Sequence, residues 1–133
     1  MDTAIVNPPT LYDPAPNGYS HAVAVEGHVK LVFIAGQGGE LSDGTLPGGF
    51  DAQVKQAYRN LLAVIAAAGA DPDHVIKLTT YPVDYDESKL ATMTRHLIAA
   101  FGDHLPAQTL VPVHRLALAE MLFEVEAVVA IPA

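Results

Sequence analysis

Residues 51–83 read DAQVKQAYRNLLAVIAAAGADPDHVIKLTTYPV, and this stretch predicts a helix followed directly by a strand. Over residues 51–68, apolar side chains recur at three- and four-residue steps, which is the period of one buried helix face. Asp51 suits the start of this helix and Gly69 suits its end. Residues 75–83 alternate and are rich in β-branched side chains, which is typical of a strand. The stretch therefore predicts helices packed on a sheet.

The flanking sequence extends this pair of elements to a ββαβαββ order. Two β-rich runs, 21–27 and 31–37, are joined by a short link that contains glycine and predict a hairpin. A second helix is predicted over 87–101, and two further strands over 109–115 and 121–130. This order places both helices on one face of an α+β sheet. The other face is not covered within the chain, which predicts oligomerisation.

Residues 1–18 are predicted to form an extended N-terminal arm. Four prolines lie within residues 7–18, and proline removes a backbone donor and fixes φ, so that a helix is not expected there. No repeat or second linker follows. We therefore expect one domain that spans residues 1–133.

Composition excludes several classes of function. Half of the 133 residues are apolar and 17% are charged, which is a globular composition. Because there is no cysteine, disulfides, thiol nucleophiles and thiolate metal sites are excluded. The net charge of −8 and the scattered basic residues argue against nucleic-acid binding. With no signal-peptide pattern and no apolar run that could span a bilayer, we expect a cytoplasmic protein without membrane association.

Two acidic residues of the last predicted strand are candidates for acid–base chemistry. Glu124 and Glu126 are two residues apart and therefore share one face of the strand. Neighbouring carboxylates raise each other's pKa and can supply a general acid or base, and a solvated strand face is the alternative. His114 and Arg115 lie at the end of the preceding predicted strand, near a turn, where they could face a ligand or simply lie at the surface. The six histidines lack the spacing of metal ligands, so no metal is expected.

The glycine-rich segment Gly36–Gly39 lies at the end of a predicted strand. It lacks the Gly-Lys-Ser/Thr ending of a phosphate-binding loop, so a nucleotide site is not expected. Glycines at a strand end let the backbone approach a small ligand closely, although a tight turn explains them equally well. No serine lies in a Gly-x-Ser-x-Gly setting, which argues against a serine hydrolase.

Seven short motifs occur in a defined order over residues 17–130. They are Tyr19-Ser-His-Ala22, Phe33-Ile-Ala-Gly-Gln37, Gln53 with Asn60-Leu61, Ala67-Ala-Gly-Ala70, Val75-Ile-Lys-Leu-Thr79, Pro106-Ala107 and Phe123-Glu-Val-Glu-Ala127. Together, by their order and spacing, they resemble the YjgF/Rid family. The resemblance implies a chorismate-mutase-like fold and a homotrimer with a central barrel, in which three clefts between neighbouring subunits bind a small molecule.

The resemblance also implies an activity and a set of site residues. Members of this family hydrolyse reactive enamines and imines, such as 2-aminoacrylate and its imine tautomer, to 2-keto acids and ammonia without any cofactor. Glu124 matches the glutamate that positions or activates the attacking water, whereas Glu126 matches a residue less directly tied to the chemistry. Tyr19 matches an aromatic residue of the cleft, and Ala35 with Gly36 matches backbone that contacts the substrate.

Gln108 departs from the family pattern. Family members carry an arginine after Pro-Ala that grips the substrate carboxylate, and this chain has Gln108 there. Glutamine keeps neutral hydrogen bonds but loses the charge, so a carboxylated imine should bind worse unless Arg115 or a neighbouring subunit supplies it. Thr94 falls near the position of a family asparagine.

Three functions remain open at this point. The first is a Rid-like hydrolase that acts on a small reactive enamine or imine, with specificity altered by Gln108. The alternative is a non-catalytic trimer that binds a small metabolite in the same clefts, because a shared fold does not carry activity with it. The endoribonuclease activity also attached to the family agrees poorly with a charge of −8.

Overall fold

The computed structural model describes all 133 residues and contains six strands and two α-helices. Single 3₁₀ turns lie at Ala15–Asn17 and Pro72–His74. From β2 onward the predicted ββαβαββ order and the α+β class are confirmed. The elements are β1 (Asp2–Val6), β2 (Ala22–Glu26), β3 (Val29–Gln37), α1 (Phe50–Ala67), β4 (Val75–Pro82), α2 (Glu87–Phe101), β5 (Ala107–Leu110) and β6 (Phe123–Pro132).

Four of the strands form a mixed sheet in the order β3-β6-β4-β5. The central strand β6 is antiparallel to both β3 and β4. β4 and β5 are parallel, which requires a crossover connection, and α2 provides it. Strands β3 and β5, which carry Gly36 and Gln108, are therefore the two edges of this sheet.

Both helices pack on one face of the four-stranded sheet, as predicted. On β6, the alternating residues Phe123, Val125, Ala127 and Val129 are buried in one apolar core with Leu61 of α1 and Leu97 of α2. Because side chains alternate along a strand, Glu124 and Glu126 lie on the opposite face. That face also carries Phe33, which is 73% exposed.

Residues 1–18 form more than an extended arm. The prediction of an extended arm is incomplete, because β1 pairs antiparallel with β2 from Asp2 opposite Glu26 to Val6 opposite Ala22. The predicted hairpin between β2 and β3 is wrong, since the two strands lie in separate sheets. Gly27, with φ of 100°, lets the chain turn between them so that each pairs with a distant strand.

The strand predicted over 109–115 is shorter and begins earlier, at Ala107–Leu110. Beyond it, one isolated bridge joins Val83 and Val113. Pro112 has no amide hydrogen to continue the ladder. As a result, His114 and Arg115 lie exposed in a loop rather than on a strand.

The helix ends follow the sequence signals with one change. Gly69 adopts φ of 80° just after α1, as expected for a residue that ends a helix. At the start of α1 the cap position is Gly49. Asp51 lies in the first turn of α1, two residues after the cap, and its carboxylate binds Arg95 and His96 of α2. Neither helix is long and apolar enough to cross a membrane.

Candidate functional site

Glu124 lies on the open face of β6, against the bare backbone of β3. A Cβ atom on Gly36 would overlap the carboxylate of Glu124 and lie 2.8 Å from its Cγ. Only glycine therefore leaves room for this carboxylate. The carboxylate faces an open pocket of about 330 Å³, which we call the Glu124 pocket. Its wall consists of Gly36, Tyr81, Leu116, Glu124 and Glu126.

The electrostatic surroundings of Glu124 favour its protonated form. Partial burial raises the pKa of Glu124, and the neighbouring carboxylates Glu40 and Glu126 raise it further. The Tyr81 hydroxyl donates a hydrogen bond to Glu126 Oε1, and this bond is the main cause of the raised pKa of Tyr81. Glu124 thus retains its proton to higher pH than an ordinary glutamate, a property suited to a general acid as well as a base.

Helix α1 holds the segment that leads into β6. Gln53 is 2% exposed, and its Nε2 donates to Pro47 O at 3.2 Å and to Glu120 O at 3.0 Å. Its Oε1 accepts from Leu122 N at 2.8 Å. One buried amide therefore ties two loops to the helix and sets the start of the strand that carries Glu124.

The same helix holds the glycine-rich loop that follows β3. Asn60 Nδ2 donates to Gly38 O at 2.9 Å and to Glu40 O at 2.8 Å. Gly39 lies so close to α1 that an added Cβ would be 2.7 Å from Gln53 O. These contacts place Glu40 where its charge acts on Glu124.

Tyr19 and Gln108 line a different pocket, of about 380 Å³, at the β5 edge of the sheet. We call it the Gln108 pocket. Part of its wall comes from Tyr12 of the N-terminal segment, whose ring packs edge-to-face on Tyr19 at 6.5 Å and on His21 at 5.2 Å. The seven wall residues, none of them basic or acidic, are Tyr12, Asn17, Tyr19, Leu90, Gln108, Thr109 and Leu110.

A single chain does not unite the residues expected in one site. Gln108 lies opposite Leu78 of β4, which in turn lies opposite Ala127 of β6. Gln108 is therefore two strands across the sheet and three residues along it from Glu124, a Cα separation of roughly 14 Å from ordinary strand spacings. Gly36 lines the same pocket as Glu124, and Tyr19 lines the same pocket as Gln108.

The other candidates lie outside both pockets. Arg115 is exposed in the loop after β5 and lines neither pocket. Ala35 is exposed next to Gly36, and its carbonyl accepts a hydrogen bond from Gln37 Nε2 at 3.0 Å. Thr94 lies on α2 and lines a separate open pocket of about 740 Å³ with Asn17, which also contributes to the Gln108 pocket.

Sequence reasoning missed three residues that the structure adds to these pockets. Tyr81 faces Glu124 and Glu126 only because β4 pairs with β6, and no local sequence pattern predicts that pairing. Glu40 belongs to a glycine-rich loop and is brought close by Asn60. Tyr12 lies in the segment that was expected to be a simple arm.

The chemical groups of the two pockets are those of acid–base catalysis and hydrogen bonding. No cluster of three or more histidine, aspartate or glutamate side chains has the geometry to hold a metal ion. The glycine-rich segment has no lysine, and α1 begins only at Phe50, so it does not form a phosphate-binding helix start. The arrangement can hold a water molecule at Glu124 and an uncharged polar group at Gln108.

The chain as a whole matches a known family. The family model described as Endoribonuclease L-PSP matches residues 11–131. This chain belongs to the YjgF/Rid family. The resemblance carried by the seven motifs is thereby confirmed.

Relatives of this Rid chain include proteins described in different ways. A RutC family protein of Pyrococcus abyssi is 33% identical over 122 residues, which cover 86% of this chain and 88% of that protein. A mouse protein named 2-iminobutanoate/2-iminopropanoate deaminase is 36% identical over 92 residues, which cover 68% of this chain and 64% of the mouse protein. The family thus includes proteins named as imine deaminases.

Solved structures of Rid proteins share the fold of this chain. A protein of the conserved Rid family from Yersinia pestis superposes with a TM-score of 0.93 at 36% identity, covering 98% of this chain and all of that one. RidA from the Antarctic bacterium Psychrobacter superposes with a TM-score of 0.71 at 31% identity, covering 85% and 88% of the two chains. The Rid fold extends over essentially the whole chain.

Proposed function

We propose that this Rid chain is a hydrolase that releases ammonia and a carbonyl product from a small reactive imine or enamine. The observation that carries the proposal is the setting of Glu124, a partly buried carboxyl group with a raised pKa that faces the exposed backbone of Gly36. The names of the mouse and rat relatives, both 2-iminobutanoate/2-iminopropanoate deaminases, support this reaction class.

The proposed cleft forms between two subunits of a homotrimer. Within one chain Glu124 and Gln108 line separate pockets, so neither pocket alone holds both a water-activating group and an amide. The sheet face that carries Glu124 also exposes Phe33 by 73% and Leu31 by 50%. A second copy on this face would cover apolar surface and could bring its Gln108 pocket next to Glu124.

In the proposed reaction Glu124 serves first as a base and then as an acid. The imine enters as its protonated iminium form. The Glu124 carboxylate accepts one proton from water as the water oxygen bonds to the iminium carbon and the C=N π electrons move to nitrogen, which gives a neutral carbinolamine. Glu124 then returns this proton to the carbinolamine nitrogen, the C–N bond breaks and ammonia leaves, and the hydroxyl proton passes to the Glu124 carboxylate as the carbonyl forms and from there to ammonia or solvent. An enamine substrate enters this sequence after protonation at its carbon.

In this proposal, uncharged backbone and side-chain groups orient the substrate. The backbone at Ala35 and Gly36 is exposed beside Glu124 and can approach a ligand closely. Tyr19 and Gln108 would contact the substrate from the neighbouring subunit. Because Gln108 replaces the family arginine, the proposed substrate differs from the usual 2-imino acid in lacking a carboxylate that requires a cation.

The test is ammonia release from freshly generated imines, with and without a carboxylate, by wild-type protein and Glu124→Gln. We expect the substitution to lower kcat by at least about 100-fold, since general acid–base catalysis contributes that much or more. Glu26→Gln is the matched control, because Glu26 is exposed on β2 and should retain turnover. Full turnover by Glu124→Gln would refute the assignment of Glu124.

A binding protein without turnover is the second candidate. The observation that favours it is the uncharged wall of the Gln108 pocket, which lacks the cation used by family members to grip their substrates. Saturable binding of a small molecule with no ammonia release would support it. RNA cleavage is not proposed, because a net charge of −8 opposes binding to a phosphate backbone.

A further inference from the structure

We propose that the Gln108 pocket selects an uncharged primary carboxamide, carried on a flat apolar group. The inference rests on the proposed function for the place of this pocket in the substrate cleft, and it adds the chemical class of the group that the pocket binds. Three features of the pocket lead to it: an unpaired amide oxygen, a wall without charge, and aromatic rings that pack edge-to-face.

The first feature is the side-chain oxygen of Gln108. This Oε1 is shielded from solvent and accepts no hydrogen bond within the chain. A buried carbonyl oxygen without a donor is energetically unfavourable. Because Gln108 lines the pocket, a turn of its amide that brings this oxygen to a ligand N–H group is favoured, and such a ligand gains affinity. A primary carboxamide supplies that N–H group and also a carbonyl that accepts from the amide nitrogen of Gln108. Rotation of the Gln108 amide by 180° leaves one donor and one acceptor, so the match holds in either orientation.

The second feature is the absence of ionic partners in the wall. None of the seven wall residues is lysine, arginine, histidine, aspartate or glutamate. Lys77 contacts a wall residue, but its Nζ donates to Thr109 Oγ1 at 2.6 Å and it does not line the pocket. A carboxylate would lose its hydration without gaining a cation, and one of its oxygens would face Gln108 Oε1. A carboxamide of the same shape avoids both costs.

The third feature is the aromatic wall. The rings of Tyr12, Tyr19 and His21 meet edge-to-face in all three pairings, with centroids 5.2 to 6.5 Å apart. His21 is held at both ends, since its Nε2 lies 2.8 Å from Tyr12 O and its amide N–H donates to Asn7 Oδ1 at 2.8 Å. His21 does not line the pocket but packs behind Tyr12 and Tyr19, whose rings do line it and suit a flat apolar body. The volume of about 380 Å³ is sufficient for a single ring with its amide.

The experiment compares benzamide with benzoate, which have the same shape and differ in charge. Binding to the full chain is measured by calorimetry and by the NMR signals of the Gln108 side-chain amide protons. We expect benzamide to bind at least tenfold more tightly than benzoate and to shift those amide signals. Equal or tighter binding of benzoate, or no binding of either probe at millimolar concentration, would overturn the proposal.

Variants assign the preference to Gln108. Gln108→Arg should reverse the order of the two probes, and Gln108→Leu should weaken benzamide without strengthening benzoate. Arg59→Gln, an exposed change on α1, is the control and should leave both affinities unchanged. If Gln108→Leu binds benzamide like the wild type, the inference is wrong.

The outcome is separable from that of the proposed function, because binding is measured without turnover. A chain that binds benzamide but hydrolyses no imine retains this inference and loses the proposed reaction. A chain that hydrolyses carboxylated imines and prefers benzoate retains the reaction and loses this inference.

Discussion

Gly36 illustrates how one missing side chain shapes the candidate site. The residue lies on the edge strand β3, and the space that its Cβ would occupy is filled by the carboxylate of Glu124. Its φ is not positive, so backbone strain does not explain the glycine. The requirement at this position is steric, and it concerns the placement of a single carboxylate.

Gly36→Ala is therefore expected to displace Glu124 while the fold stays intact. A shift of a catalytic group by about 1 Å costs roughly 100-fold in rate, and we expect a loss of imine turnover of that order. The measurement is kcat/KM for ammonia release together with thermal unfolding. Gly48→Ala is the matched control, since a Cβ there meets nothing within 4 Å; equal activity of the two variants would contradict the steric argument.

At the scale of elements, α1 acts as the support on which the Glu124 pocket is built. Gln53 and Asn60 lie on the same helix and fix three segments that have no regular structure of their own, among them the loop that carries Glu40. The helix could be predicted from its period, but its role as a support could not, because hydrogen bonds to Glu120 and Leu122 span almost 70 residues.

Gln53→Met is expected to destabilise the fold by about 3 kcal/mol, because it keeps the side-chain volume but leaves buried backbone partners without hydrogen bonds. Urea unfolding monitored by circular dichroism measures the change. Lys55→Met, an exposed position on the same helix, should change the free energy of unfolding by no more than about 0.5 kcal/mol. A similar small effect at Gln53 would show that the loops are held by other contacts.

At the scale of the whole molecule, one face of the four-stranded sheet is covered by neither helix. It combines exposed Phe33 and Leu31 with the partly buried carboxylates Glu124 and Glu126. Exposed apolar surface next to polar groups is typical of interfaces. We propose that this face is where subunits meet.

Phe33→Lys should then dissociate the homotrimer and abolish imine turnover, while the monomer remains folded because Phe33 is 73% exposed in one chain. Sedimentation velocity and circular dichroism measure the two properties. Ile98→Lys, on the exposed surface of α2, is the control and should leave the assembly unchanged. Sedimentation of the wild type as a stable monomer would contradict the intersubunit cleft.

The sequence by itself determined the periodic elements and the family, and it supplied the candidate site residues. Helices α1 and α2 and strand β4 were predicted within about one residue because their patterns are local. Glu124 and Gly36 were predicted because they match motifs whose order along the chain is preserved. Gln108 was found in the same way, by its departure from the motif.

Only the tertiary structure decided which strands pair and which residues meet. The predicted hairpin of β2 with β3 does not form, because β2 pairs with residues 2–6 and β3 pairs with β6. Long-range strand pairing here overrides the local turn. The approach of Tyr81 to Glu126 and the separation of Glu124 from Gln108 follow from strand order. Local patterns carry no information on strand order, because it depends on which apolar faces are buried together in the whole chain.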